Sequence, residues 1–98
     1  MGSVLDQWPT LADQLRRALL TDQETMLAAS VDSLTVVALC SCSDDFCQSF
    51  YTGPKPDGAY GPRHRNVLLD PPWPGYLILD VVDDEIVFVE VLYRTPLD

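Results

Sequence analysis

Basic residues are scarce in this 98-residue sequence, which has six Lys and Arg residues and one His against 15 Asp and Glu residues. The resulting formal charge of −9 at pH 7 repels nucleic-acid phosphates and anionic membrane surfaces. We therefore expect no binding to nucleic acid or to membranes. The same field attracts cationic partners.

Long apolar runs and a targeting segment are also missing. The first residues, Met-Gly-Ser-Val-Leu-Asp, lack the basic region and the apolar stretch of a secretory signal, and no apolar run is long enough to span a bilayer. These absences predict a cytoplasmic protein, where thiols stay reduced. The odd number of cysteines, three, argues against a complete disulfide framework.

The N-terminal part has the apolar spacing of helices. Leu11, Leu15 and Leu19 recur every four residues, which predicts a first helix that begins near Pro9 and buries this stripe. Thr21-Asp-Gln-Glu24 matches a capping box, which predicts a second helix from 22 to about 29 with Met26 and Leu27 inward and Ala29 as a further candidate. One continuous helix through Thr21 is the alternative.

From residue 33 onward the sequence changes to β-branched residues in short runs bounded by turn residues. This pattern predicts five strands, near 33–42, 46–52, 65–70, 76–82 and 86–94. We therefore predict a single α+β domain over residues 1–98, in which two N-terminal helices (about 9–30) pack on a mainly antiparallel five-stranded sheet (about 33–94). The sheet is expected to be a meander that can curl strongly.

The last two strands are predicted to form a hairpin around Asp83-Asp84-Glu85. Because side chains alternate along a strand, the length of the loop decides which residues share a face. A two-residue loop would place Asp80 and Glu90 on different faces. We predict a three-residue loop, which gives one wholly apolar face of Leu77, Leu79, Val81, Val87, Val89, Val91 and Tyr93.

The other face of this hairpin is also unusually apolar. Besides Asp80 and Glu90, it is predicted to carry Tyr76, Ile78, Ile86, Phe88 and Leu92. Two helices cover only one face of a sheet, so we expect these five residues to bind another protein or a second copy of the chain. A sheet curled into a half-barrel that covers itself is the alternative.

Three cysteines, Cys40, Cys42 and Cys47, lie close together in the sequence. A two-residue turn at 44–45, or a four-residue loop over 43–46, places Cys42 opposite Cys47 and clusters the thiols. A three-residue loop would send Cys47 to the other face. Clustered thiols joined by His64 would form a Cys3His zinc site.

The spacing of the cysteines leaves other interpretations open. Structural zinc sites use C-x2-C knuckles, whereas this chain has C-x-C, and free cysteine often packs as a small buried apolar residue. A transient disulfide between Cys42 and Cys47 and a nucleophilic cysteine with His64 as base are further alternatives.

Two other groups of charged residues have simple structural explanations. Asp80 and Glu90 have the residue types of an acid/base pair or, with the acids of the hairpin loop, of a hard-cation site, but such acids usually form a solvated end. Arg63-His64-Arg65 could grip a carboxylate or phosphate, or supply internal counter-charge.

The segment Cys40-x-Cys42-x4-Cys47-x-Ser49-Phe50-Tyr51-Thr52, with Tyr60-Gly61-Pro62 and Val89-Glu90-Val91-Leu92, resembles a group of small uncharacterised bacterial proteins. Those proteins are expected to have Gly after the second cysteine, where this chain has Ser43. The resemblance implies a bacterial intracellular origin and carries no activity.

These features predict a non-enzymatic protein-binding domain with an acidic, partly apolar surface. Its concrete form is an immunity or antitoxin-like inhibitor of a basic toxin, whose encounter the charge of −9 would accelerate. The alternative is a small zinc-binding domain that uses Cys40, Cys42, Cys47 and His64. A third hypothesis is a small hydrolase or isomerase that uses Asp80 or Glu90.

Overall fold

The helices pack on one antiparallel sheet, in a computed structural model that describes residues 2–42 and 44–98. The described helices are α1 (Val4–Gln7), α2 (Pro9–Thr21) and α3 (Thr25–Ser30), followed by a 3-10 turn at Val31–Ser33. The sheet has the strand order β1-β2-β5-β4-β3, which confirms the predicted α+β fold. Its strands are β1 (Ala38–Leu39), β2 (Phe50–Tyr51), β3 (His64–Leu69), β4 (Tyr76–Val82) and β5 (Glu85–Leu92).

Helix α2 forms as its apolar spacing predicts. It begins at Pro9, and Leu11, Leu15 and Leu19 are all fully buried against the sheet. The short helix α1, which the sequence pattern did not predict, adds Val4 to the same core. None of the described helices combines the length and apolarity that crossing a bilayer would require.

The connection between α2 and α3 differs from the predicted capping box. Gln23 adopts a left-handed φ of 63°, and the N–H of Glu24 donates to the carbonyl of Leu19 at 2.9 Å, so α2 ends in a Schellman motif. Both carboxylate oxygens of Glu24 accept hydrogen bonds from the Arg65 guanidinium, at 2.9 and 3.2 Å. Thr21 is the last residue of α2 and so does not cap α3, and the Glu24 carboxylate pairs with Arg65 instead of with a backbone N–H.

Helix α3 faces the core through residues one position later than predicted. Leu27 and Ala28 are buried, whereas Met26 is 78% exposed. The reason is that the helix begins at Thr25, after the Schellman motif, and this start sets the rotation of its apolar stripe.

The first two strands are much shorter than predicted. Residues 34–36 do not pair within the sheet, because they bond to the N-terminal segment: the Val4 N–H donates to the Leu34 carbonyl at 3.0 Å and the Val36 N–H donates to the Gly2 carbonyl at 3.1 Å. Strand β4, in contrast, has the predicted bounds.

The β4–β5 hairpin has a two-residue turn and a β-bulge, so the predicted three-residue loop is wrong. Asp83 and Asp84 have φ values of 52° and 63°, as a type I′ turn requires. Val81 pairs with Ile86 but Asp80 pairs with Phe88, which leaves Val87 as the extra residue. Beyond the bulge, β4 and β5 pair in the register that a three-residue loop would have produced. Asp80 and Glu90 therefore share a face, as predicted.

Three side chains depart from their predicted faces. Val87, predicted to lie on the core face, is the bulge residue and is only half-buried. Ile86, predicted to lie on the binding face, pairs with Val81 before the bulge and is only 3% exposed in the core. Tyr93, predicted to lie on the core face, has a φ of 60° and is 53% exposed. The positive φ turns this residue out of the pleat at the end of β5.

A change in the hairpin turn tests this geometry. Asp84→Gly should raise the free energy of unfolding by about 1 kcal/mol, because glycine adopts a positive φ without the steric cost of a Cβ. Glu85→Gly is the matched control, since it removes the same charge from an extended strand position and should lower stability by about 0.5–1 kcal/mol. Urea denaturation measures the free energy of unfolding of both variants. Destabilisation by Asp84→Gly together with stabilisation by Glu85→Gly would instead support the three-residue loop.

The Glu24–Arg65 pair predicts a pH dependence of stability. The Arg65 guanidinium holds the pKa of Glu24 below its usual 4.5, so the carboxylate stabilises the fold above that pH, and the contribution is lost as the pH falls through the lowered pKa. Glu24→Gln should lower stability at pH 7 by up to about 1 kcal/mol and have little effect in acid. Denaturation across pH checks this; Asp22→Asn, the control, should show no such dependence.

Candidate metal centre

The connection between β1 and β2 carries all three cysteines. Ala38 pairs with Tyr51 and Leu39 with Phe50, and the Cys40 N–H donates to the carbonyl of Ser49 at 2.9 Å. The Cys47 N–H donates to the Asp44 carbonyl at 3.1 Å, so a turn at Asp45-Phe46 directs Cys47 back toward β1. Ser43 itself, where the chain departs from the resemblance stated above, lies outside the described residues.

The three thiols come together. The Sγ atoms of Cys40, Cys42 and Cys47 all lie within 4.8 Å of one another. Three sulfurs bound to one tetrahedral zinc ion at about 2.3 Å would be about 3.8 Å apart, so a movement of roughly 1 Å would close the site. Cys42 is exposed, and the other two are half-buried, so the set does not serve as three buried core residues. The donor set fits a thiophilic metal.

The Cys42 and Cys47 thiols differ in pKa. Burial raises the pKa of Cys47, but hydrogen bonds from the Cys42 thiol and from the hydroxyl and N–H of Ser49 stabilise the thiolate more, so the pKa lies below its ordinary value. The pKa of Cys42 is raised to about 12, because its thiol donates a hydrogen bond to Cys47 and, with a smaller effect, interacts with Cys40. Of these two thiols, Cys47 is therefore the one that ionises more readily.

Sheet topology separates His64 from the cysteines. Strand β3, which carries His64, forms one edge of the sheet, while the cysteines extend from β1 and β2 at the other edge. The His64 Nε2 lies 2.6 Å from the Asp80 Oδ1, and the Tyr60 ring stacks on the imidazole at 4.9 Å between centroids. The predicted fourth ligand is thus engaged elsewhere, and the described residues bring together three thiols without it.

Asp80, weighed above as half of an acid/base pair, is bonded to side chains of β3. The Asp80 Oδ1 accepts from the Asn66 amide at 2.6 Å in addition to its contact with His64, so this carboxylate belongs to a network along β3 and β4. Arg63 pairs with Asp83 at 2.9 Å, which gives the basic segment an internal counter-charge role.

The predicted protein-binding face is partly covered by the chain itself. The Tyr51 ring packs on Phe88 with centroids 4.4 Å apart, and Ile78 and Leu92 are half-buried. Tyr76, at the far end of this face, remains 55% exposed. The chain therefore covers this face near Phe88, where Tyr51 packs, and leaves the end at Tyr76 exposed.

A cleft beside the cysteines was not anticipated from the sequence. It has a volume of about 350 Å³, and Trp8, Leu39 and Leu97 line it together with Cys40 and Cys47. Its walls come from the N-terminus, from β1 and from the C-terminal tail. Nothing in local sequence spacing relates these three segments, so sequence patterns had no signal for the cleft.

Alkylation tests the predicted order of thiol reactivity. Iodoacetamide reacts with thiolates, so at pH 7–8 Cys47 should be modified before the more exposed Cys42. Peptide mapping by mass spectrometry measures the two rates. Cys42→Ala removes a donor to the Cys47 thiolate and should slow modification at Cys47; faster modification of Cys42 in the wild type would contradict the assignment.

No family model, no curated protein and no solved structure matches this chain.

Proposed function

We propose that the protein binds a thiophilic metal ion, with zinc as the first candidate, through Cys40, Cys42 and Cys47. The observation that carries the proposal is the convergence of three Sγ atoms within 4.8 Å of one another. Thiolate is the ligand that zinc and monovalent copper prefer. In a reducing compartment such as the cytoplasm, the thiols would remain available for the ion.

Three protein thiolates leave one position of a tetrahedral ion for water or an external ligand. No described His, Asp or Glu side chain joins the three sulfurs. Exposed Cys42 provides an entry path for the ion, and the cleft beside Cys40 and Cys47 provides room for a small ligand. This arrangement favours an accessible binding site over a closed structural one.

A zinc titration against a chromophoric chelator tests the proposal. The reduced protein should bind about one zinc per chain, and Cys42→Ser and Cys47→Ser should each weaken binding by more than the roughly 10–100-fold typical of losing an outer-sphere partner. His64→Ala is the matched control and should bind as the wild type does, because His64 lies at the other sheet edge. Binding should strengthen with pH, since metal displaces thiol protons.

Cobalt substitution gives a second readout. Cobalt(II) in the site should show sulfur-to-metal charge-transfer absorption that Cys40→Ser, Cys42→Ser or Cys47→Ser reduces. Equal zinc affinity of the wild type and all three variants would eliminate the thiol site. Loss of binding in His64→Ala would instead point to the Cys3His set.

A further inference from the structure

The sheet face turned away from the helices, called the open face below, has an apolar surface around one of its two acids, Glu90. Across β3, β4 and β5, the register aligns Leu68 with Ile78 and Ile78 with Glu90. The next row pairs Tyr76 with Leu92. Leu68 is 70% exposed and Tyr76 is 55% exposed, so an apolar surface surrounds the Glu90 carboxylate on the side of β3 and β4.

Glu90 has no partner for its charge within the described part of the chain. It is half-buried, with Phe88 and Leu92 as its same-face neighbours along β5 and Ile78 opposite it on β4. The neighbouring acid on this face, Asp80, is already bonded to His64 and Asn66. Covering an unpaired carboxylate with apolar groups alone is costly, so a ligand of this face needs a cation at this position.

The cations of the chain are committed elsewhere. Each of its five arginines pairs with a carboxylate away from Glu90; these are Arg16, Arg17, Arg63, Arg65 and Arg94. The one lysine, Lys55, lies over the Tyr51 ring at 5.9 Å from its centroid. No Lys or Arg side chain of the described residues pairs with Glu90, so we look to another molecule for its counter-charge.

A second copy of this chain does not fit the open face. A twofold dimer would bring the same patch of both copies together, with two Glu90 carboxylates near each other and two chains of charge −9 in contact. Like charges brought together in a desolvated interface are strongly unfavourable. Charge complementarity thus selects a different, basic protein.

We propose that the open face binds a cationic segment of another protein, with one Arg or Lys placed against Glu90 and apolar side chains packed on Leu68, Ile78 and Leu92. The exposed rings of Tyr76 and Tyr93, whose centroids are 6.3 Å apart, offer a second contact for a guanidinium. The surface is independent of the cysteine cluster, and metal loading is not required for it.

A peptide titration tests the surface. The probe is a fluorescent amphipathic peptide of Leu and Arg residues, measured by anisotropy at fixed ionic strength, with a Leu/Glu peptide of the same length for comparison. Glu90→Gln and Leu68→Ser should each weaken binding of the Leu/Arg peptide by about tenfold. Glu85→Gln, with the same charge change, and Met26→Ser, with the same loss of exposed apolar surface, should change it less than about twofold.

Distinct outcomes would overturn the proposal. Equal weakening by Glu90→Gln and Glu85→Gln would mean that only the general negative field attracts the peptide. Equal binding of the Leu/Glu peptide would remove the role of Glu90. A concentration-dependent dimer lost in Leu68→Ser would assign the face to a second copy. Thermal melting of each variant confirms folding, and the high exposure of Leu68 keeps that variant informative if Glu90→Gln unfolds.

Discussion

The bulge at Val87 is the constraint on which the rest of the sheet depends. The positive φ values of Asp83 and Asp84 form a two-residue turn, whereas the apolar alternation of β4 and β5 fits the register of a three-residue loop. The extra residue at the bulge makes the two compatible. The bulge also holds β2, because the N–H groups of Thr52 and Gly53 donate to the Val87 carbonyl at 2.9 and 3.1 Å. A Cβ on Gly53 would lie 2.9 Å from the Val87 Cγ1, so close approach requires glycine here.

The position of β2 carries this constraint to the cysteines. Because β2 is bonded to β5 on one side and to β1 on the other, the loop that leaves these two strands is directed to the C-terminal end of β5, where Cys47 bridges to Leu92. The cysteine loop therefore ends next to the open face, although the two proposed sites share no residue. Phe46, in the cysteine loop, stacks on Tyr93 at 4.8 Å, and Tyr93 lies beside Tyr76.

Arginines tie the elements of the fold together, as Arg65 does by joining Glu24 to β3 and Arg94 by joining Asp98 to Gln14 of α2. Because each arginine is engaged internally, the excess of acids remains as an outward field. Because the arginines pair with other acids, Glu90 has no counter-charge among its apolar neighbours. It is therefore the position on this face at which a cation of a partner would bind.

The sequence alone determined the features that depend on local periodicity. The stripe of Leu11, Leu15 and Leu19, the bounds of β4 and the clustering of the thiols follow from residues close together in the chain, and all appear in the structure. Tertiary structure decided the features that depend on distant partners or on backbone geometry. These include the burial of Ile86 by the bulge, the outward turn of Tyr93 and the separation of His64 from the cysteines. Spacing along the chain does not encode strand order, and it does not encode an ion pair such as that between Arg65 and Glu24. Both depend on pairs of residues that lie far apart in the sequence.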